Sequence, residues 1–124
     1  MSHIRLADAR VTETPAATMR TYAAPTMPGG ADVAVWRTEM AAGASGPLHT
    51  VDTDQVVVVV QGRLSAEIDG SSSQVPAGDS VVLPAGAVRR LTAGEDGLVT
   101  LTASTPAATA RVGDGDPVPV PWTR

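Results

Sequence analysis

The longest apolar run of the chain lies inside residues 55–62, which read QVVVVVQG, with five consecutive valines between two glutamines. β-Branched side chains have restricted χ1 angles and pack well on a pleated surface, so the run predicts a strand over 55–61. Because no polar residue interrupts the valines, we expect both faces of this strand to be buried. Gly62 predicts a turn or bulge, and Arg63–Ile68 predicts another strand.

Short strands separated by turn residues surround this run. Asp69-Gly70 predicts a hairpin connection, and the Pro/Gly segments 76–79 and 84–86 predict further turns. At least seven strands emerge at the spacing of a sandwich or barrel. Apart from those already given, they are predicted at Asp32–Met40, with Trp36 and Met40 on one face, near Gln74–Val75, and at Ser80–Leu83, Val88–Thr92 and Leu98–Ala103.

The two ends of the chain are rich in proline. Pro15, Pro25 and Pro28 argue against a continuous helix and leave room only for a short helical turn near 15–19. In the tail, alternate prolines favour extended geometry ahead of Trp122, which we expect to be packed because a free tail would leave its ring in water. The sequence predicts one domain over 1–124, comprising an N-terminal arm at about 1–31, a core at about 32–104 and a tail at about 105–124.

Composition excludes several classes of function. The 124 residues include no cysteine, and the net charge is −4. An acidic chain with two tryptophans and one tyrosine has neither the positive charge nor the stacking surface for nucleic acid, and anionic membranes are disfavoured for the same reason. No apolar run approaches the roughly 20 residues of a membrane-spanning helix, and the N-terminus lacks a signal-peptide pattern. We expect a cytoplasmic protein with neither nucleic acid nor membrane as partner.

Residues of about 43–103 resemble the cupin family in two motifs. The segment 46–49 (GPLH), followed by Gln55 and Gly62, is similar to the first cupin motif, in which a histidine pair and a glutamate precede a glycine. The segment 78–86 (GDSVVLPAG), followed by Arg89, is similar to the second, whose proline and glycine precede another histidine. The resemblance implies an all-β fold, a cupin-type double-stranded β-helix or jelly-roll barrel with extended N- and C-terminal arms.

The resemblance also bears on a metal, because the family's site uses three histidines and one glutamate. His49, Val51, Gln55 and Arg89 occupy those positions, and only His49 has the expected type. Valine, a glutamine amide and a permanently charged arginine do not replace the missing ligands. We therefore expect neither a metal nor another cofactor.

If the barrel is built as in cupins, His49, Gln55 and Arg89 converge near its mouth. The apolar wall is then formed by Val51, Val57 and Val59. This arrangement predicts a pocket for a small anionic organic molecule held by Arg89. In a catalytic version His49 is the base of an isomerisation or cyclisation, its proton partner being the substrate or Asp54, and Arg89 stabilises the enolate.

Three other interpretations remain open at this point. The site binds a ligand without catalysis; His49 joins Asp52, Asp54 or another carboxylate in an atypical metal site; or apolar side chains fill a barrel that has no cavity. The buried charge of Arg89 needs a counter-charge, which is either an anionic ligand or a salt bridge to one of the carboxylates Asp54, Glu39 and Glu67. The resemblance also implies a homodimer formed through outer strands and exchanged terminal arms.

Overall fold

The computed structural model describes residues 1–124 and is almost entirely β. Short 3₁₀ helices lie at Leu6–Asp8 and Pro121–Thr123. The strands are β1 Arg10–Glu13, β2 Thr18–Ala23, β3 Ala34–Met40, β4 Thr50–Val51, β5 Gln55–Ile68, β6 Ser71–Pro76, β7 Ser80–Leu83, β8 Arg89–Ser104, β9 Thr109–Arg111 and β10 Val118–Pro119. The prediction of an all-β fold is confirmed. No helix has the length and apolar composition needed to cross a membrane.

Two long antiparallel strands, β5 and β8, form the centre of the barrel. The first half of β5 pairs with β7 and with the C-terminal half of β8, whereas its second half pairs with β6 and with the N-terminal half of β8. On the other side of β8 the main sheet continues through β3 and β2 to β1. Each long strand therefore contributes to two layers, as expected for a jelly roll.

The predictions of separate strands at 55–61 and 63–68, and at 88–92 and 98–103, were wrong. Each pair is one continuous strand, because register shifts between Val59 and Gln61 and between Gly62 and Leu64 bend the ladder without ending it. Gly62 lies at this bend with a φ of +83°, and a Cβ there would overlap the carbonyl oxygen of Gly97. Only glycine allows the two bent strands to approach this closely.

Alternate valines of β5 face opposite environments. Val57 and Val59 are buried, whereas Val56, Val58 and Val60 are 42%, 39% and 47% exposed. The expectation that both faces would be buried was therefore wrong, because the sheet packs only its inner face against the barrel interior. The inner cluster comprises Met40, Val57, Val59, Leu64, Ala66, Val75, Leu83, Ala93 and Leu98.

The N-terminal segment is a hairpin and not an extended arm. β1 pairs with β2, and β2 pairs with β3, so residues 10–23 extend the chain's own main sheet. The region near 15–19, where the sequence allows a short helical turn, is instead the turn of this hairpin and the start of β2. Pairing along β3 provides backbone hydrogen bonds that a lone helical turn would lack.

The C-terminal tail packs on the barrel, as predicted. β10 pairs with β9 and β9 with β4, forming a three-stranded sheet. Trp122 is half-buried and packs against two apolar clusters, one around Trp36 and one around Val51. The tail thereby covers apolar surface at one side of the fold.

Candidate functional site

Three of the predicted site residues are brought together by strand pairing. His49 and Arg89 form an isolated antiparallel bridge, in which each backbone N–H donates to the other's carbonyl, at 2.9 and 2.8 Å. Arg89 begins β8, and Gln55 begins β5. The expected convergence of His49, Gln55 and Arg89 is thus present in the structure.

The guanidinium of Arg89 is the centre of this group. Its Nη2 donates to Gln55 Oε1 at 2.7 Å, and its Nε donates to His49 Nε2 over a longer distance of 3.4 Å. Its Nη1 is buried and has no hydrogen-bond partner. Arg89 and Gln55 are each only 4% exposed, so water from the bulk does not solvate this charge.

No carboxylate of the chain pairs with Arg89. Asp54 instead accepts a hydrogen bond from the Ala85 amide at 2.8 Å, and Glu39 pairs with two other arginines. Glu67 forms no ion pair. The interpretation in which Asp54, Glu39 or Glu67 holds Arg89 in a structural salt bridge was wrong, because Asp54 and Glu39 have other partners and Glu67 forms no ion pair.

The buried arginine keeps its charge at neutral pH. Burial lowers the pKa of Arg89 to about 10, which still lies well above neutrality. A buried cation whose hydrogen-bond partners are both neutral is costly to the folded state. The site is therefore electrostatically incomplete within this chain.

The orientation of His49 is set by a backbone carbonyl. Its Nδ1 lies 2.7 Å from the Pro47 oxygen, and since a carbonyl only accepts, Nδ1 carries the proton and Nε2 presents a lone pair toward Arg89. Burial lowers the pKa of His49, the charge of Arg89 lowers it further, and the hydrogen bond to Pro47 opposes both effects. His49 is accordingly neutral at pH 7.

The remaining predicted site residues are distributed around this group. Val57 and Val59 lie on the inner face of β5, the same face as Gln55. Val51 is also buried, but it packs with Ala108 and Val120 in a separate cluster. The structure therefore does not place Val51 in one apolar wall with Val57 and Val59.

Arg89 lines neither of two recesses of the surface. The larger, of about 420 Å³, is lined by Thr18, Glu39, Met40, Ala41, Gln61, Asp96, Gly97, Leu98 and Val99. A second, of about 170 Å³, is lined by Thr50, Val51, Asp52, Gly86, Thr109, Ala110, Arg111 and Pro117. Neither is lined by His49, Gln55 or Arg89, so neither is the pocket predicted around these three residues.

The residues at this position do not fit a divalent metal ion. No group of three or more His, Cys, Asp or Glu side chains is assembled anywhere in the chain. Asp52, considered as a partner of His49, instead accepts two hydrogen bonds from Thr109, at 2.8 and 2.9 Å. Arg89 presents only donors, and its charge repels a cation.

One contributor to the site was missed from the sequence. The Pro47 carbonyl selects the tautomer of His49, and therefore decides which ring nitrogen faces Arg89. Every residue has a carbonyl, so no side-chain motif could have identified this one. The only feature of the sequence that could have indicated this contact is that Pro47 lies two residues before His49.

Comparisons with known proteins agree with this architecture. The family model described as "Cupin domain" matches residues 36–104. A cupin-2 domain protein from Rhodospirillum rubrum superposes with a TM-score of 0.77 at 16% identity, covering 90% of this chain and 80% of that one. A search of curated proteins found no significant match.

Two further solved structures are similar to this chain. A sugar phosphate isomerase of a cupin superfamily from Silicibacter pomeroyi has a TM-score of 0.72 at 20% identity, covering 93% of this chain and 83% of that one. The polyketide cyclase RemF from Streptomyces resistomycificus has a TM-score of 0.72 at 20% identity, covering 85% and 79%. At these identities the likeness establishes the jelly-roll fold and no shared activity.

Proposed function

The chain belongs to the cupin family, and from that premise we propose that it binds a small anionic organic molecule inside its barrel without a metal. Arg89 supplies the charge that attracts the anion, and Gln55 and His49 hold the guanidinium in place. The ligand's carboxylate or other anionic group accepts hydrogen bonds from Arg89, which recognises such groups through two parallel N–H donors.

The single observation that carries this proposal is the unpaired Arg89 guanidinium. It is 4% exposed, has no carboxylate partner, and leaves Nη1 without an acceptor. A buried charge without a counter-charge destabilises the folded protein. An anion that binds there removes this destabilisation, and the gain appears as binding free energy. Two proteins of similar structure, a sugar phosphate isomerase of a cupin superfamily and the polyketide cyclase RemF, support the same class of partner.

A second candidate function is proton transfer on the bound molecule, an isomerisation or cyclisation. It is favoured by the neutral imidazole of His49, whose unprotonated Nε2 lies beside a cation. Once the long 3.4 Å hydrogen bond from Arg89 Nε is released, Nε2 takes a proton from the carbon next to a ligand carbonyl, the C–H electrons form an enolate whose oxygen faces Arg89, and the proton returns to a carbon of the enolate. Its test is exchange of pyruvate methyl protons in deuterium oxide, which wild type should catalyse and His49→Ala should not.

The binding proposal is tested by thermal unfolding of the wild-type protein with benzoate, succinate or inorganic phosphate. An anion at a hundred times its dissociation constant adds about 2.7 kcal/mol, which should raise Tm by about 5 °C or more. Arg89→Met should lose this response. Arg90→Met is the matched control, because Arg90 is the neighbouring, half-buried arginine on the opposite face of β8, and it should respond like wild type.

A second variant supplies the missing counter-charge from inside the chain. In Gln55→Glu the new carboxylate lies where Oε1 already accepts from Arg89 at 2.7 Å, so the anion response should vanish while the ligand-free Tm rises. Gln61→Glu, exposed on the same strand, should change neither. The proposal is overturned if no anion stabilises wild type, or if Arg89→Met and Gln55→Glu respond as wild type does.

The proposed localisation, oligomeric state and range of partners follow from the sequence. We place the protein in the cytoplasm as a homodimer, with residues 1–124 acting as one cupin domain. The net charge of −4 supports the absence of nucleic-acid and membrane partners. If an anion binds but pyruvate exchange is absent or survives in His49→Ala, proton transfer from pyruvate by His49 is overturned and the binding proposal stands.

A further inference from the structure

A row of three hydroxyl side chains lies on the inner face of β8, beside the group around Arg89. The members of the row and the β5 residues that pair with them are Ser104 with Gln55, Thr102 with Val57, and Thr100 with Val59. Paired residues of neighbouring strands project to the same side of a sheet, so the row shares the face that carries Gln55. All three residues of the row are buried.

Two of these hydroxyls have no hydrogen-bond partner. Ser104 Oγ donates to the Thr105 carbonyl at 2.8 Å. No side-chain hydrogen bond of the chain involves Thr100 or Thr102. We call these two residues the threonine pair.

The hydroxyls of the threonine pair are buried but not sealed off. The fully enclosed side-chain polar atoms that lack a partner are Thr53 Oγ1 and Arg89 Nη1. Since neither hydroxyl of the threonine pair is among them, each keeps a small accessible surface, although Thr100 and Thr102 are only 2% and 5% exposed. A polar group of another molecule can therefore reach both hydroxyls.

Packing alone does not account for threonine at these two positions. Valine has nearly the same shape, and it occupies the neighbouring inward positions Val57 and Val59. A buried hydroxyl without a hydrogen bond destabilises the folded protein, whereas a valine methyl does not. Two such hydroxyls and a buried cation that lacks an acceptor thus lie near one another, and a single polar ligand satisfies all three.

We propose that the ligand of the Arg89 site is a polyhydroxy carboxylate, whose carboxylate binds Arg89 and whose hydroxyls bind the threonine pair. This inference rests on the binding proposal made above and names the class of molecule that is bound. Positions two residues apart on a strand are separated by about 6.6 Å, so a molecule that contacts both threonines carries hydroxyls on more than one carbon. A threonine hydroxyl both donates and accepts, as a ligand hydroxyl does.

The charge of the site favours a carboxylate over a phosphate monoester. Arg89 carries one positive charge, and its partners Gln55 and His49 are neutral at pH 7. A carboxylate carries one negative charge and balances it. A phosphate monoester carries about two negative charges near neutral pH and leaves the excess buried.

Titration calorimetry of wild type with D-gluconate and with hexanoate tests the proposal. Both are six-carbon carboxylates, and hexanoate has no hydroxyls. If the threonine pair played no part, the apolar side chains of Val57 and Val59 would favour hexanoate. We expect D-gluconate to bind at least about 10-fold more tightly than hexanoate, and D-sorbitol 6-phosphate at least about 10-fold more weakly than D-gluconate.

The variants Thr102→Val and Thr100→Val each remove one hydroxyl and keep a β-branched side chain, so the strand is retained. Each should raise the dissociation constant of D-gluconate about 10-fold and leave that of hexanoate unchanged or lower. Unchanged binding of hexanoate and an unchanged or higher Tm show that the barrel and Arg89 are intact. Thr12→Val is the matched control, because Thr12 is half-buried on β1, which β2 and β3 separate from β8, and it should bind D-gluconate as wild type does.

The outcomes separate this inference from the binding proposal. Hexanoate binding as tightly as D-gluconate, no binding of D-gluconate, or tight D-gluconate binding that both valine variants retain overturns the role of the threonine pair. Tighter binding of D-sorbitol 6-phosphate overturns the choice of a carboxylate. In each case the binding proposal stands as long as benzoate, succinate or hexanoate stabilises wild type and not Arg89→Met.

Discussion

At the scale of single residues, the distinguishing feature of the site is that Arg89 has no negatively charged partner. Its two hydrogen-bond partners, Gln55 and His49, are neutral, and its Nη1 is unsatisfied. Natural proteins bury charged groups with compensation, and an uncompensated one is usually explained by function. A ligand that brings a negative charge supplies that compensation only while it is bound.

His49 should make stability depend on pH in a defined direction. Burial holds its folded pKa below the ordinary value of 6.5, so as the pH falls through 6.5 the unfolded chain takes up a proton that the folded chain does not. The free energy of unfolding of wild type should therefore fall between about pH 8 and about pH 5.5, and that of His49→Gln should fall less. Urea unfolding at several pH values measures both.

The control for this prediction is His3→Gln, because His3 is exposed near the N-terminus, and its stability profile should follow that of wild type.

Glu39 and Asp52 do not contribute to the pH dependence in this range. Their folded pKa values are lowered below 4.5 and 3.8, by hydrogen bonds from Arg37 and from the Thr109 backbone respectively, so the stability they add is lost only in stronger acid. Parallel profiles of wild type and His49→Gln would contradict the role assigned to burial of His49.

The identity of the central residues could be predicted from the sequence, and their electrostatics could not. Motif spacing placed His49, Gln55 and Arg89 at equivalent positions of one barrel. Whether Arg89 met a carboxylate depended on where Asp54 and Glu39 point, which is set by local partners such as the Ala85 amide. These side-chain orientations cannot be read from the sequence alone.

At the scale of secondary-structure elements, one glycine allows the two longest strands to bend together. Gly62 lies opposite Leu98 in the ladder, at a register shift of β5, and its missing side chain leaves room for the backbone of Gly97. This close approach links both layers of the jelly roll.

Gly62→Ala should cost much more stability than Gly78→Ala. Both glycines have positive φ, +83° and +94°, so either alanine incurs about 1–2 kcal/mol of backbone strain. Only at Gly62 does the added Cβ overlap another part of the backbone, whereas Gly78 has no atom within 4 Å of that position. Urea unfolding should show an additional loss of at least about 2 kcal/mol for Gly62→Ala. Equal losses for the two variants would show that the bend is not sterically tight.

Elements with strong local signals were predictable, and those that depend on partners were not. The structure has the predicted strand at Ser80–Leu83. It also has the predicted turn at Asp69-Gly70, where φ is +48° at Asp69 and +84° at Gly70. β1, β2, β4, β9 and β10 were missed. β1 and β2 lie in the proline-containing N-terminal segment, which predicted an arm, and β4, β9 and β10 have only two or three residues each, too few for an alternating pattern.

At the scale of the whole molecule, the tail joins parts of the barrel that are distant in sequence. Thr21 of β2 donates to the Trp122 carbonyl at 3.0 Å, and the Thr123 hydroxyl accepts from the Ala108 amide at 3.0 Å. Thr123 is fully buried, although it lies next to the last residue of the sequence. The tail is thus part of the folded structure, and its removal should expose two apolar clusters together.

Trp122→Ala should reduce the free energy of unfolding by about 2–3 kcal/mol, somewhat less than for a fully buried tryptophan, because the ring is half-buried between the two clusters. Val118→Ala is the matched control, since Val118 is 56% exposed on the same tail and should change stability by no more than about 0.5 kcal/mol. Urea unfolding provides both values. Since Trp122 packs against both the cluster around Trp36 and the cluster around Val51, a single cooperative transition that moves to lower urea in Trp122→Ala would show that the tail stabilises the whole barrel. A small early transition, with the main midpoint unchanged, would instead show that the tail detaches by itself and that the barrel is stable without it.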